Sequence, residues 1–279
     1  DRDRAQTMNI PTPTRIKDVA KRELAHNWHP PEHIEPQRPR LQAALTGDDP
    51  AWVLMLDAGR YDMFDQLVWD YFDGNLTRVY NGGVGYTGDW FAHNLDSNYP
   101  NAGLFSYLPL RYQEGEYDGT EHFQTAPDVG GAQTVQERLG ALGYAEHSGN
   151  GAGRYTAPSA VSKAALESDV SGGLVRYLKP HPPLESFEDL TAGSGKVERT
   201  KQAINSGELT YAELTDAYRE TYRVGLQAAR ELASDLSGRV YFTADHGTCL
   251  TCGQLFHGRR HVKHDHLTVV PWFEVDQLL

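Results

Sequence analysis

Cysteine is scarce in this chain: Cys249 and Cys252, spaced C-x-x-C, are the only two in 279 residues. One such pair cannot complete a four-thiolate zinc site, because no second C-x-x-C supplies the remaining ligands. A reduced pair or a disulfide is the first expectation, with metal ligation behind them. Long apolar runs are also missing. No stretch approaches the ~18 residues of a membrane span, so no integral membrane segment is expected. The first residues, DRDRAQTMNI, show no basic-then-apolar leader, and a cytoplasmic location is the matching expectation. Positive charge is in deficit: 26 basic against 38 acidic residues give a net charge of -12. Backbone binding to nucleic acid needs a basic face, so no nucleic-acid partner is expected. Lysine is short as well, at seven against nineteen arginines. An acidic, lysine-poor surface suits high salt, and a halophilic source is the expectation. The composition assigns no oligomeric state.

What is present suits a globular enzyme. A 39% hydrophobic content with 10% aromatics is that of a packed domain, and the length fits one large α/β domain. Residues 1–47 carry Pro11, Pro13, Pro30, Pro31, Pro36 and Pro39, which break long elements. They are expected to form an N-terminal extension wrapping the core, with a short helix over 16–26, and residues 48–279 to form the single catalytic domain. Trp52-Val53-Leu54-Met55-Leu56 is a continuous apolar run ending in Asp57, the pattern of a buried parallel strand feeding a helix. A second strand is predicted near Leu76–Tyr80, then the glycine-rich Asn81–Gly85 and a helix opening at Thr87. Further helices are predicted over 132–142 and 160–167, a strand over 174–178, and a polar surface insertion over 184–208. Tyr211, Leu214, Tyr218, Tyr222, Gly225, Ala229, Leu232 and Leu236 mark a long amphipathic helix. A strand over 239–244 and a short last strand over 267–270 follow. Alternating strands and helices predict a predominantly parallel sheet with helices on both faces.

Ligands of such sheets bind at the carboxyl ends of the strands. Asp57 ends one predicted strand, His181 follows another, Asp245-His246 ends a third, and Thr87 follows a glycine-rich turn after a fourth. A carboxylate against an apolar run is costly unless paired; an Asp capping the next helix is the plainer alternative. Two carboxylates and an imidazole make a mixed O/N set suited to zinc or manganese, with magnesium or calcium as further choices. Thr87 sits at a helix N-terminus, where free N–H groups surround its hydroxyl; an ordinary helix cap is the alternative there. A divalent cation can lower the pKa of a bound oxygen acid, for water from 15.7 to about 7.

The segments VLMLDAGRYD (53–62), GYTGDWF (85–91), LKPHPPL (178–184), VYFTADHG (240–247) and VVPWFEV (269–275) occur in that order. Together they resemble the alkaline phosphatase superfamily, in particular its sulfatase-like and phosphoglycerol-transferase-like branch, over most of the chain from residue 51 onward. The resemblance implies a three-layer α/β sandwich in which Asp57, Thr87, Asp245 and His246 surround one divalent metal. It implies that His181 contacts a phosphate-ester substrate or supports a second metal, and that Arg60 helps near the phosphate. It also implies that a late histidine reaches the site, with His257 and His266 the candidates among His257, His261, His264 and His266. Arg259, Arg260 and Lys263 are candidates for substrate-anion contacts, with a solvated loop face as the equal alternative. The activity implied is phosphoester hydrolysis or phosphoryl or phosphoglycerol-type transfer through a Thr87 nucleophile and a phospho-threonine intermediate. Sulfate esters are not expected, because GYTGDW lacks the C/S-x-P-x-R motif. Leu178 and Lys179 stand where two-metal members carry another Asp, and Thr248-Cys249-Leu250 replaces the acidic residues that often follow Asp-His-Gly. Those departures motivate the alternative, a metal-binding structural protein that keeps the fold without turnover.

Overall fold

The computed structural model describes residues 33–46, 48–95, 98–106, 123–125, 158–191, 195–251, 255–257 and 264–279. The helices expected over 16–26 and 132–142 lie outside these residues. In chain order the strands are β1 (Glu35–Pro36), β2 (Trp52–Leu56), β3 (Phe72–Tyr80), β4 (Tyr99–Ser106), β5 (Phe123–Thr125), β6 (Gly173–Tyr177), β7 (Val240–Thr243) and β8 (Val269–Leu278). The helices are α1 (Gln37–Leu45), α2 (Tyr61–Leu67), α3 (Thr87–Asn94), α4 (Pro158–Leu166), α5 (Glu188–Thr191), α6 (Lys196–Ser206), α7 (Tyr211–Asp235) and α8 (Asp265–Thr268).

All eight strands among the described residues form one sheet, in the order β1-β3-β8-β7-β2-β6-β4-β5. Only β8 runs against its neighbours, β3 and β7; every other pairing is parallel. The chain is therefore mixed α/β with a mostly parallel sheet. The continuous apolar run of β2 has its reason here: the strand is central and buried on both faces. Trp52, Leu54 and Leu56 enter one core with α2, α4 and α7, while Val53 and Met55 enter the other with α1 and α3. The period-2 alternation of a strand thus divides one sequence between two cores, and helices cover both faces.

The long helix α7 begins with a reciprocal capping box, Glu213 N–H donating to Thr210 Oγ1 and Thr210 N–H to the Glu213 carboxylate. Its buried Leu214, Tyr218, Tyr222, Leu226 and Leu232 each contribute about 1.5–3 kcal/mol relative to exposure.

Two elements differ from their predicted extents. Strand β3 begins at Phe72, four residues before the predicted start, and β8 runs through Pro271 to Leu278. Proline in an inner strand normally removes a ladder bond. Here the β7 ladder ends at Thr243–Trp272, and the Pro271 carbonyl accepts the Thr243 hydroxyl at 2.8 Å. The missing donor therefore faces a place where no ladder bond was due. Residues 184–208 carry α5 and α6, with Leu184, Ala203 and the following Leu209 in the core beneath α7. The Leu184 N–H donates to Thr191 Oγ1 at 2.8 Å.

Candidate active site

Strands β7, β2 and β6 lie side by side, and their carboxyl ends carry the charged groups of the site. Asp57 follows β2, Asp245 and His246 follow β7, and Arg176 is the fourth residue of β6; all four are buried. Arg176 pairs in register with Met55. Its side chain therefore emerges on the face covered by α3, where its guanidinium lies 5.8 Å from the Phe91 ring centre.

Thr87 opens α3. Gly82 and Gly83, both in the left-handed region, turn the chain into it, and a Cβ on Gly82 would overlap the His93 ring at 2.1 Å. Asn81 fixes this turn: its Nδ2 donates to the carbonyls of Val84 and Asp245, both at 2.8 Å, and its Oδ1 accepts the Gly83 N–H. Gln37 of α1 makes the second tie. It donates to Thr243 Oγ1 at 2.6 Å and the Ala244 carbonyl at 2.8 Å, and accepts the Trp90 indole N–H at 2.7 Å. These two amides hold the α3 start against the end of β7.

The geometry at the centre is close. Thr87 Oγ1 donates to Asp245 Oδ2 at 2.6 Å and lies 3.5 Å from His246 Nε2. Arg176 Nη2 donates to Asp57 Oδ2 at 2.5 Å and to Thr87 Oγ1 at 2.8 Å, and sits 3.5 Å from Asp245 Oδ2. The other Asp245 oxygen accepts two backbone donors, Ala58 N–H at 3.1 Å and His246 N–H at 2.8 Å. Ala58 adopts a positive φ of 61° to aim that donor, and the Tyr218 hydroxyl holds its carbonyl at 2.7 Å. Such a conformation is costly for a residue with a Cβ.

The residues fit a divalent cation. Asp57, Asp245 and His246 each offer a ligand atom, and these atoms lie within 4.8 Å of one another. His246 Nε2 is 3.8 Å from Asp57 Oδ1 and 3.6 Å from Asp245 Oδ2, spacings that bonds of about 2.0–2.2 Å can span. His246 Nδ1 faces the Gly247 carbonyl at 2.8 Å. A carbonyl only accepts, so Nδ1 carries the hydrogen and Nε2 presents a lone pair toward two carboxylates. A backbone partner of this kind is the usual way to orient a ligating imidazole.

The remaining expected residues fall into two groups. His257 lies at the site, its ring centre 4.4 Å from that of His246 and 4.8 Å from that of His181. Burial, and next the charge of Lys196, hold the His181 imidazole well below its usual pKa. His181 Nδ1 donates to the Pro182 carbonyl at 2.5 Å. Arg60 and His266 form a separate cluster: the Arg60 guanidinium grips Asp62 at 2.8 and 2.5 Å and lies 3.3 Å from His266 Nε2. Cys249 is disulfide-bonded, and Cys252 is the only other cysteine in the chain. His261, Arg259, Arg260 and Lys263 lie outside the described residues.

Arg176, Asn81 and Gln37 were not singled out in the sequence. Arg176 had a readable signal: a lone charge inside the apolar run Leu174–Leu178 of a strand buried on both faces must be paired. The two amides carried none, because polar residues are common both in turns and at helix ends.

No family model matches the chain, and no curated protein matches it by sequence. Among solved structures, the soluble domain of lipooligosaccharide phosphoethanolamine transferase A from Neisseria meningitidis is similar. It is 15% identical, with 88% of this chain and 80% of that one covered and a TM-score of 0.42. The chain spans about half, 49%, of the integral membrane form of that transferase. A phosphonate monoester hydrolase from Silicibacter pomeroyi is similar at 12% identity, 80% and 67% coverage and a TM-score of 0.42. A 2-O GAG sulfatase is similar at 14% identity, 82% and 65% coverage and a TM-score of 0.45. Among the described residues, no helix is long and apolar enough to cross a membrane.

Proposed function

We propose that this chain is a divalent-metal-dependent phosphoester hydrolase or phosphoryl transferase with Thr87 as nucleophile. The observation that carries the reading is the pair of bonds at one oxygen: Thr87 Oγ1 donates to Asp245 at 2.6 Å and accepts from Arg176 at 2.8 Å. A threonine hydroxyl is a weak nucleophile on its own. Here its proton points at a carboxylate and its lone pair at a guanidinium, an arrangement that draws the proton off and steadies the charge left behind. Asp57, Asp245 and His246 would hold the cation, which when bound supplies Lewis-acid stabilisation of charge at the reacting oxygens.

The steps of this chain's own residues balance as follows. Thr87 Oγ1 attacks phosphorus, its proton passing to Asp245 and from there to the leaving oxygen as the ester P–O bond breaks, so that the alcohol departs neutral. The resulting phospho-threonine is cleaved by water or an acceptor hydroxyl, which restores Thr87. His181 suits the second half. With Nδ1 donated to Pro182 and burial keeping the ring neutral, its remaining Nε2 acts as an acceptor for the proton of the incoming hydroxyl.

The test is turnover of mono- and diester chromogenic substrates by wild type, Thr87→Ala and Asp245→Ala, each with metal analysis. Thr87→Ala is expected to fold, to keep its metal and to lose at least ~100-fold in rate; wild-type-like turnover would remove Thr87 from the mechanism. Bound metal in a wild type inert toward every phosphoester would favour a binding protein that keeps the fold.

A further inference from the structure

Lys196 stands out among the cations around the site because no carboxylate among the described residues forms an ion pair with it. Arg176 is committed to Asp57, Asp245 and Thr87, Arg60 to Asp62, and Lys179 to Glu185 at 2.6 Å. Among the described residues Lys196 makes no hydrogen bond and no ion pair; its ammonium lies 5.4 Å from the Phe256 ring centre, over that ring. The group is partly buried, and burial pulls its pKa down while the field of Asp57 pulls it back up. Its charge in turn helps keep His181 neutral. It therefore sits within electrostatic reach of both the metal-competent Asp57 and His181.

Three features make this ammonium expensive. Desolvation without a partner opposes the charge. Lys196 is the first residue of α6, the end of a helix where a positive charge is disfavoured. Its aromatic neighbour, Phe256, is fully buried and has a positive φ of 65°, a strained backbone for a bulky side chain. Phe256 is fixed there by two backbone bonds to Cys249, at 2.9 and 2.6 Å, and leads directly into His257. A strained platform, a neighbouring site histidine and an uncompensated ammonium meet at one rim of the site. An anion arriving there removes the cost.

We propose that Lys196 is a substrate-binding residue that takes an anionic oxygen of the phosphate ester, with Phe256 as the platform that holds its ammonium. This rests on the phosphoester reading above, and it deepens that reading by naming the group that receives the substrate's charge. A charge-assisted bond of this kind is among the stronger ones a site can offer. Without the anion, an apolar side chain of similar length would suit the position better than lysine does.

The experiment is isothermal titration of the metal-supplemented full chain with inorganic phosphate, on wild type, Lys196→Met and Lys196→Arg, with melting temperatures alongside. Lys196→Met is expected to weaken phosphate binding at least about 10-fold while melting at the same temperature as wild type or higher. Lys196→Arg is expected to restore most of the affinity. Equal phosphate affinity in wild type and Lys196→Met overturns the proposal, as does a wild type that binds no phosphate. A lower melting point with unchanged affinity would assign the ammonium to holding Phe256 instead. The two readings separate cleanly. Lys196-dependent phosphate binding in a protein that turns over no phosphoester keeps this inference and sinks the catalytic one. Turnover through Thr87 with phosphate affinity indifferent to Lys196 does the reverse.

Discussion

The hydroxyl of Thr87 has its proton on one side and its lone pair on the other already engaged, and both partners are buried ionic groups. Arg176 is the residue whose loss should reach furthest. Its Nη2 touches Asp57 and Thr87 and approaches Asp245, so removing it leaves two buried carboxylates facing each other across the site. Breaking a buried pair by deleting one partner costs about 3–5 kcal/mol. Arg176→Met is therefore expected to lower stability by that order in denaturant titration of metal-free protein. Added divalent metal should recover more of the loss than it gives to wild type, since a cation then replaces the missing charge. Equal responses of the two proteins to metal would mean that Arg176 and the cation do not share the same carboxylates.

At the scale of elements, the site depends on how closely the loop after β7 approaches its neighbour. A Cβ on Gly247 would lie 1.8 Å from the His266 carbonyl oxygen, and the Gly247 N–H donates to the Leu267 carbonyl at 2.9 Å. Gly247→Ala should therefore push α8 away from His246 and lower both the melting temperature and the metal affinity; a variant matching wild type in both would show that the loop gives way freely. Much of this arrangement was legible in the sequence because burial on both faces demands an uninterrupted apolar run, as in β2, and because acids at strand ends are conspicuous against such runs. The position of Thr87 followed from glycines needed for a turn. Arg176 was overlooked because its strand was read for hydrophobicity alone. The length of β8 was hidden by Pro271, whose missing N–H matters only where a ladder bond is due. Asn81 and Gln37 act through amides on distant backbone groups, and no local pattern announces a partner more than 150 residues away.

For the molecule as a whole, acid and metal are the two levers. Burial, and then the charge of Arg60, lower the His266 pKa to about 4, and burial lowers that of His181 too. Both groups bind protons more readily in the unfolded chain, whose histidines titrate near ~6.5. Stability from this source is complete above that pH and is lost as pH falls from about 6.5 toward about 4. A smaller fall in melting temperature over this acid window in His266→Gln than in wild type, with the His181 part remaining, would confirm the assignment; identical profiles would refute it. Metal acts in the same currency. An ion present at 100 times its Kd adds about 2.7 kcal/mol to the folded state, which for a chain of this size corresponds to roughly 5 °C in melting temperature. Chelation should remove that increment from wild type and leave Asp245→Ala unchanged.

The central claim is that Thr87 itself receives the phosphoryl group, and the most direct measurement is mass spectrometry of the protein quenched during turnover of a phosphoester. A phosphate on the peptide containing Thr87, absent in Thr87→Ala, is the expected result. Turnover with that peptide unmodified at every quench time, or with the phosphate on another residue, would contradict it.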